Sequence, residues 1–433
     1  MKYLYVGGEK KRIPPFPHHK NHIYRYYRFF RSGSLFDLFT IDGYGQVFRK
    51  LYNNRRTRSA VPRLLLIDPT SSCNLNCTGC WARDYEKNIH LSYEKLDELC
   101  TDARKLGVLQ IIFSGGEPLM RKKDILKLAG KHRKLTFAMF TNGTLIDDAF
   151  ASEMAHLGNL NAFISIEGSR DETDMRRGKG AYDAALHAMD LLKKHEIGFG
   201  FSACYHSQNY LSVTSDEFLG LMREKGAWLG WLFIYMPIGS NADLSLCCTA
   251  DQRAYVMQKL ENYQKKHGFL AIDFANSGHK AFGCVAAGND FAHINANGDL
   301  EPCAFCHYSD VNVNDVSLEE ALRSPFFKRF RQKKPFSKNF LRPCPMIDVP
   351  EAMIELCKAE NVRSTHLTFP ESAEEMAVKT TPGAEKWKPV ANELWNDMPE
   401  EEKLRFGRIT KLMQWGHRFK SGTADHHSVK SHD

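Results

Sequence analysis

Three cysteines fall within eight positions of the stretch SSCNLNCTGC, at Cys73, Cys77 and Cys80. Thiolates from one loop can share a metal ion or an iron–sulfur cluster, because Cys thiolates are the usual ligands of such clusters. A structural tetrahedral zinc would want a fourth ligand, and His90 is the nearest imidazole downstream. A four-iron cluster held by only three cysteines leaves one iron open to a small ligand. A second set follows far downstream, at Cys284, Cys303, Cys306 and Cys344. Four cysteines complete the ligation of a cubane, and Cys303-x2-Cys306 is also a zinc-knuckle spacing. His307 is an alternative to Cys306 there, and Cys357 an alternative to Cys344. Of the rest, Cys100 reads as helix core. Cys204 ends a strand-like run, where it could contact a substrate or donate a hydrogen atom, and Cys247–Cys248 lies in a loop near the same mouth.

The elements that would position these thiols alternate regularly. Apolar runs at 63–68, 109–115, 135–142, 161–168, 197–205 and 231–237 are each followed by an amphipathic pattern of helical period. Six such repeats predict a parallel sheet with right-handed crossovers, either an open partial barrel or a doubly wound sheet. Both architectures bind ligands at the C-terminal ends of their strands. The residues just past the strands are the cysteine loop, GGEP (115–118), TNGT (141–144), SIEGSRDETDMRRG (165–178), CYHS (204–207) and MPIGSN (236–241), which places all of them on one rim. Gly115 and Gly116 let a backbone approach closely, Pro118 stiffens the turn and Glu117 can accept from an ammonium.

On these motifs the chain resembles the radical S-adenosylmethionine (radical SAM) superfamily. Cys-x3-Cys-x2-Cys after the first strand and SGGEP after the second carry the likeness, which covers about residues 62–240. The resemblance implies an α/β fold, a partial (β/α)6 TIM-type barrel, with Cys73, Cys77 and Cys80 holding a 4Fe-4S cluster whose open iron takes SAM. It implies Gly115, Gly116, Glu117 and Pro118 about the SAM amino group, and Thr141, Asn142, Ser165, Glu167 and Arg177 as further cofactor-binding positions, with Arg176 competing for the role of Arg177. Reductive cleavage of SAM would yield a 5′-deoxyadenosyl radical that abstracts hydrogen from an unactivated carbon, with an electron donor such as flavodoxin or ferredoxin. One departure is visible: the position before the third cysteine, commonly aromatic, is Gly79, and Trp81 follows instead.

Cys284 through Cys303, with Gly298 five residues before Cys303, resembles the opening of the SPASM or twitch extension. That likeness implies one auxiliary 4Fe-4S cluster held by Cys284, Cys303, Cys306 and Cys344, with Asn297-Gly298 forming a turn between short strands. The expected organisation is a basic, aromatic arm (1–61), the barrel (62–268), a small auxiliary-cluster module (269–358) and a charged helical tail (359–433). The +8 excess of Lys and Arg does not by itself argue for nucleic acid, and no run approaches the roughly 20 apolar residues that span a bilayer. The expectation is a cytoplasmic enzyme acting on an unidentified organic substrate. A small molecule, lipid or tetrapyrrole is favoured over a peptide, since the first 60 residues are short for a leader-binding domain. The arm, with FRKLYNNRRTR after it, adds a peripheral membrane contact. The alternatives are a peptide or protein side-chain maturase, and a non-catalytic iron–sulfur or zinc protein holding a polyanion.

Overall fold

A computed structural model describes residues 3–6, 9–12, 41–57, 59–84, 88–239, 242–281, 283–288 and 290–399. Most of the basic, aromatic arm and the His-rich end of the tail lie outside these residues. A helix, α1 (Ile41–Thr57), precedes the barrel.

All six expected strands form: β1 (Leu64–Ile67), β2 (Gln110–Phe113), β3 (Thr136–Thr141), β4 (Leu160–Ser165), β5 (Phe199–Tyr205) and β6 (Leu229–Ile234). They pair in parallel, each with the next. The expected crossover helices form too: α2 (Tyr93–Leu106), α3 (Lys122–Lys131), α4 (Asp148–Leu157), α6 (Ala181–Lys194), α7 (Asp216–Lys225) and α8 (Ala250–His267). Their ends are written locally. Ser92, Asp147, Ser215 and Thr249 cap the N-termini of α2, α4, α7 and α8 through side-chain oxygens, and a left-handed glycine closes each of the four. One further helix, α5 (Arg170–Arg177), occupies what sequence pattern assigned to a rim loop. A capping box between Ser169 and Glu172 starts it, satisfying backbone donors reciprocally.

The sheet runs past residue 268, where the alternation was expected to stop. β7 (Leu270–Asp273) adds in parallel to β6, and β8 (Phe291–Ile294), from the second module, adds in parallel to β1 on the opposite side. β9 (Leu300–Glu301) turns back antiparallel on β8 through Gly298, so the nine-stranded order is β9-β8-β1-β2-β3-β4-β5-β6-β7. The second module thus completes the barrel wall rather than standing beside it. β7 follows α8 as the next strand of the series but is followed by no long helix, and β8 joins β1 from far along the chain, so the strand–helix repeat marked neither.

Alternation along the strands divides the interior in two. Leu65, Ile67, Ile111, Phe113, Phe137 and Met139 face the helices in the main core. Leu66, Ile112, Ala138, Phe163 and Phe291 face the lumen, with Phe140, Trp231, Trp81 and Cys303 packed against them. Behind the auxiliary module, α9 (Pro325–Lys333) and α10 (Pro350–Cys357) precede α11 (Ala373–Asp397). The tail, expected to be helical in patches, forms one 25-residue helix there despite Pro382 and Pro389. It is anchored by buried Trp387, whose Nε1 donates to Leu341 O at 3.1 Å.

Candidate active site

The rim residues converge. A cavity at the C-terminal ends of the strands is lined by Cys73, Cys77, Cys80, Gly115, Gly116, Glu117, Thr141, Asn142, Ser165, Arg176, Arg177 and Cys204. Two expected cofactor-binding residues lie behind this wall instead. Pro118 begins a short 3-10 turn and is buried, and Glu167 is wholly buried beneath the arginines.

The cysteine loop is docked on GGEP by backbone contacts. Gly116 N donates to Thr70 O at 3.0 Å and Glu117 N to Ser72 O at 2.9 Å. A Cβ on Gly116 would fall on the Ser72 carbonyl and 2.5 Å from Ser71 O. The close approach expected of these glycines is therefore made, in the first place, by the loop that carries Cys73. Glu117 is a strut as well as a lining residue: its carboxylate accepts from Leu119 N (3.0 Å), Thr141 Oγ1 (2.7 Å) and Asn142 N (2.8 Å). That leaves about one of its four lone-pair sites for a ligand. Asn142 makes the Asx turn to Thr144 N (2.9 Å) and also lines the cavity.

Glu167 Oε1 accepts from Arg176 (2.6 Å) and from Arg177 Nε and Nη2 (2.8 and 2.5 Å), while Oε2 accepts from Cys204 N at 2.8 Å. Burial raises the Glu167 carboxyl, but the two guanidinia outweigh it and hold the group below its ordinary value. Two cations against one carboxylate leave a net positive wall, suited to an anionic ligand group. Arg176 contributes as much of it as Arg177, and its Nε is buried with no partner among the described residues. Ser165 Oγ lies 3.0 Å from Ser202 Oγ on the same wall. Burial pushes the Cys204 thiol up to about 11, so at neutral pH it is a neutral S–H rather than a thiolate.

Gly79 has a structural explanation. It adopts φ +64°, and a Cβ there would sit 2.6 Å from Cε2 of Tyr235. Tyr235, just past β6, supplies a ring where the loop carries none, and it lines the cavity. Trp81 lines the same cavity and also reaches the second cysteine module. It stacks on His307 at 5.7 Å and meets Phe305 edge-on at 6.3 Å, joining the first cysteine loop to the second.

In the second set, Cys284, Cys303 and Cys344 border one cavity. Cys306 is turned into the core, its Sγ 3.9 Å from Met353 Sδ on α10, the helix that also carries Cys357. His307 is held between Trp81 and His366. Two half-buried cations stand nearby. Lys334 Nζ donates to Ala286 O and Arg331 to Ala287 O, and among the described residues neither forms an ion pair. Burial pushes Arg331 down to about 10 and lowers Lys334 also. Such uncompensated charge suits an anionic, thiolate-bound cluster. Among the described residues no three His, Cys, Asp or Glu side chains close around a single ion, as zinc with its roughly 2.3 Å sulfur bonds requires.

A barrel sheet with a three-cysteine loop after its first strand, and a cysteine module completing its wall, defines an iron–sulfur enzyme of the partial-barrel class. Comparison with known proteins makes this specific. The Radical SAM superfamily profile matches residues 67–211, and that of an iron–sulfur cluster-binding domain, SPASM, matches residues 284–346. The pre-heme d1 synthase of Dinoroseobacter shibae is 32% identical over 329 residues, covering 68% of this chain and 76% of that protein. The chain belongs to the radical SAM superfamily: it is an enzyme that uses a 4Fe-4S cluster and SAM, with auxiliary iron–sulfur ligation in its SPASM domain. The Fe-coproporphyrin III synthase of Methanosarcina barkeri is 36% identical over 213 residues, 47% of this chain and about half (52%) of that protein's length. The PqqA peptide cyclase of Gluconobacter oxydans is 27% identical, covering 64% and 80%. Among solved structures, Streptococcus suis SuiB bound to S-adenosylmethionine shares the fold, with TM-score 0.60 at 17% identity over 77% of this chain and 83% of that one. No helix of the described residues is long and apolar enough to cross a membrane.

Proposed function

We propose that this enzyme abstracts hydrogen from an unactivated carbon of a small, non-peptide substrate enclosed beneath the cysteine loop. The observation that carries this is the convergence of the three-cysteine loop, the arginine wall and Cys204 on one cavity whose walls also include the rings of Phe140, Trp231, Phe233, Phe274, Phe291 and Phe305. When bound, the cluster and SAM supply a 5′-deoxyadenosyl radical. Cys73, Cys77 and Cys80 would hold that cluster. Arg177 and Arg176 would take the SAM carboxylate, the free lone pair of Glu117 its ammonium, and Ser165 a ribose hydroxyl. The aromatic walls exclude water from the reacting carbon, which protects a reactive intermediate from side reactions. Cys204, neutral and facing the same space, would return a hydrogen atom to the substrate.

Cys284, Cys303, Cys306 and Cys344 would hold one auxiliary 4Fe-4S cluster, with Cys306 turning out of the core to do so. The partners are the substrate and a one-electron donor such as flavodoxin or ferredoxin. Twelve cysteines, all described as free thiols, support a reducing compartment, the cytoplasm. The test is anaerobic reconstitution followed by incubation with SAM and a strong reductant. About eight irons per chain, four per cubane, and release of 5′-deoxyadenosine are expected. A Cys73→Ala variant that made 5′-deoxyadenosine at the parent rate would overturn the assignment. Cys303→Ala is expected to lose about half of the iron and keep the first cluster.

A further inference from the structure

A second cavity lies under the first. It holds about 390 Å³ and shares Trp231, Met236, Phe274, Phe291 and Phe305 with the upper one, so these side chains are the floor of one and the roof of the other. That volume lies within the roughly 300–1,000 Å³ typical of pockets for drug-sized ligands. Its walls include Leu64, Leu229 and Leu270, the first residues of β1, β6 and β7, so the lumen extends to the N-terminal end of the barrel. Leu270 is 40% exposed and the Arg63 side chain 55% exposed, which opens that end to solvent. The auxiliary cysteines border one side, and a cluster there takes part of the volume. The rest is bounded by Leu64, Leu229, Leu270, Ile272, Ala275 and Val285.

Charge is scarce in this lumen. Among its described lining residues only Arg63 and Asp290 carry any, and they neutralise each other at 2.7 Å beside the far opening. A tetrapyrrole carrying several carboxylates would find no free cation on the lining, since Arg63 is paired and Lys334 and Arg331 stand behind it on Ala286 O and Ala287 O, and burying those carboxylates is costly. A hydrocarbon chain demands no such partners. One polar group is nevertheless waiting: Trp231 Nε1 is buried, lines both cavities and has no hydrogen-bond partner among the described residues. A buried N–H left unpaired is destabilising, and a single substrate oxygen would satisfy it. Beside the far opening, Lys50 of α1 lies 3.8 Å from Asp290, and the same helix exposes Leu51 (49%) and Tyr52 (66%) between Arg49 and Arg55. Apolar residues among arginines suit contact with an anionic lipid surface.

Building on the radical reading above, we propose that the substrate is a fatty-acyl compound: its hydrocarbon chain occupies the lower lumen of the barrel and its acyl oxygen accepts from Trp231 Nε1. The acyl end is thereby held at the aromatic floor, next to the site beneath the cysteine loop, and the rest of the chain lies below it.

The experiment uses the full chain, anaerobically reconstituted, with a fluorescent fatty acid displaced by either hexadecanoate or coproporphyrin III. Hexadecanoate is expected to displace it at least tenfold more effectively. Coproporphyrin III displacing it better, or neither displacing it, overturns the proposal. Ala275→Trp, which fills the lower lumen, is expected to weaken hexadecanoate at least tenfold in protein that keeps its iron content. Trp231→Phe is expected to weaken hexadecanoate at least tenfold and leave hexadecane unaffected, since one hydrogen bond to a carboxylate oxygen is lost. Equal affinity for hexadecanoate in parent and both variants sinks the idea even if a variant folds poorly, because the parent's own preference is read first. Cosedimentation with phosphatidylglycerol vesicles assigns the chain to a membrane lipid, and hexadecanoate binding without it to a free acid; either source fits the lumen. Formation of 5′-deoxyadenosine in the parent is measured separately. Its absence would remove the radical reading and leave the chain-binding result standing.

Discussion

Replacing Gly116 by alanine tests whether GGEP braces the cysteine loop as well as facing the cavity. The new Cβ would fall on the Ser72 carbonyl and 2.5 Å from Ser71 O, and these are backbone atoms that cannot swing aside as a side-chain tip would. The loop must lift, losing the hydrogen bonds from Gly116 N to Thr70 O and from Glu117 N to Ser72 O. Two backbone hydrogen bonds contribute about 1 kcal/mol each, and forcing an extra carbon into packed structure costs about 1–3 kcal/mol. The total is roughly 3–5 kcal/mol, a large part of the 5–15 kcal/mol that typically holds a native protein together. Because the loop carries Cys73, Cys77 and Cys80, the cost lands on iron retention first. The assay is iron content after anaerobic reconstitution and desalting, with thermal unfolding of the same samples. Gly220→Ala is the control: Gly220 lies inside α7 with nothing within 4 Å of its would-be Cβ, and the change is expected to stabilise by about 0.5–1 kcal/mol. A Gly116→Ala protein that kept the parent's iron and melting temperature would refute the bracing argument.

Glu167→Gln leaves Arg176 and Arg177 facing each other without a carboxylate, and breaking such a buried pair is expected to cost about 3–5 kcal/mol in denaturant titrations; an unchanged midpoint would mean the pair does not hold the wall. His293 is wedged between Asp68 at 3.0 Å and Glu301 at 2.6 Å. Burial alone would lower it, yet the carboxylates raise it to about 10 from 6.5, so its stabilising charge is fully present below pH 6.5 and is lost as pH rises through 10. The melting-temperature gap between the parent and His293→Gln should therefore narrow from pH 6.5 to 10, and a constant gap would contradict the ion cluster. Gly79→Ala is expected to lose iron at the first site. Tyr235→Ala, which removes the ring 2.6 Å from the new Cβ, should restore part of it. Purely additive losses in that double-mutant cycle would show that Tyr235 is not what excludes a side chain at position 79.

Much of the molecule is written locally. The caps Ser92, Asp147, Ser215 and Thr249, with glycines at 107, 158, 226 and 268, delimit four crossover helices within a residue or two of where the pattern placed them. Cys73, Cys77 and Cys80 are legible because three thiols at that spacing have few uses, and the rim rule for parallel sheets brought GGEP, TNGT, Ser165 and Cys204 to the same mouth. Sequence reasoning could not separate Arg176 from Arg177, since adjacency hides that one buried carboxylate, Glu167, gathers both. It also missed Tyr235, whose only signal was the glycine at position 79.

The sequence by itself determined the element types and the parallel connectivity and pointed to thiolate ligation by two cysteine sets, because periodicity, caps and ligand spacing are local properties. Only the tertiary structure decided that β8 joins β1 and so makes the auxiliary module part of the barrel wall. It alone turned Cys306 inward against Met353 and left Trp231 Nε1 unpaired over an apolar lumen. Those outcomes depend on contacts between segments that lie far apart along the chain, where no spacing along the sequence records which atoms meet.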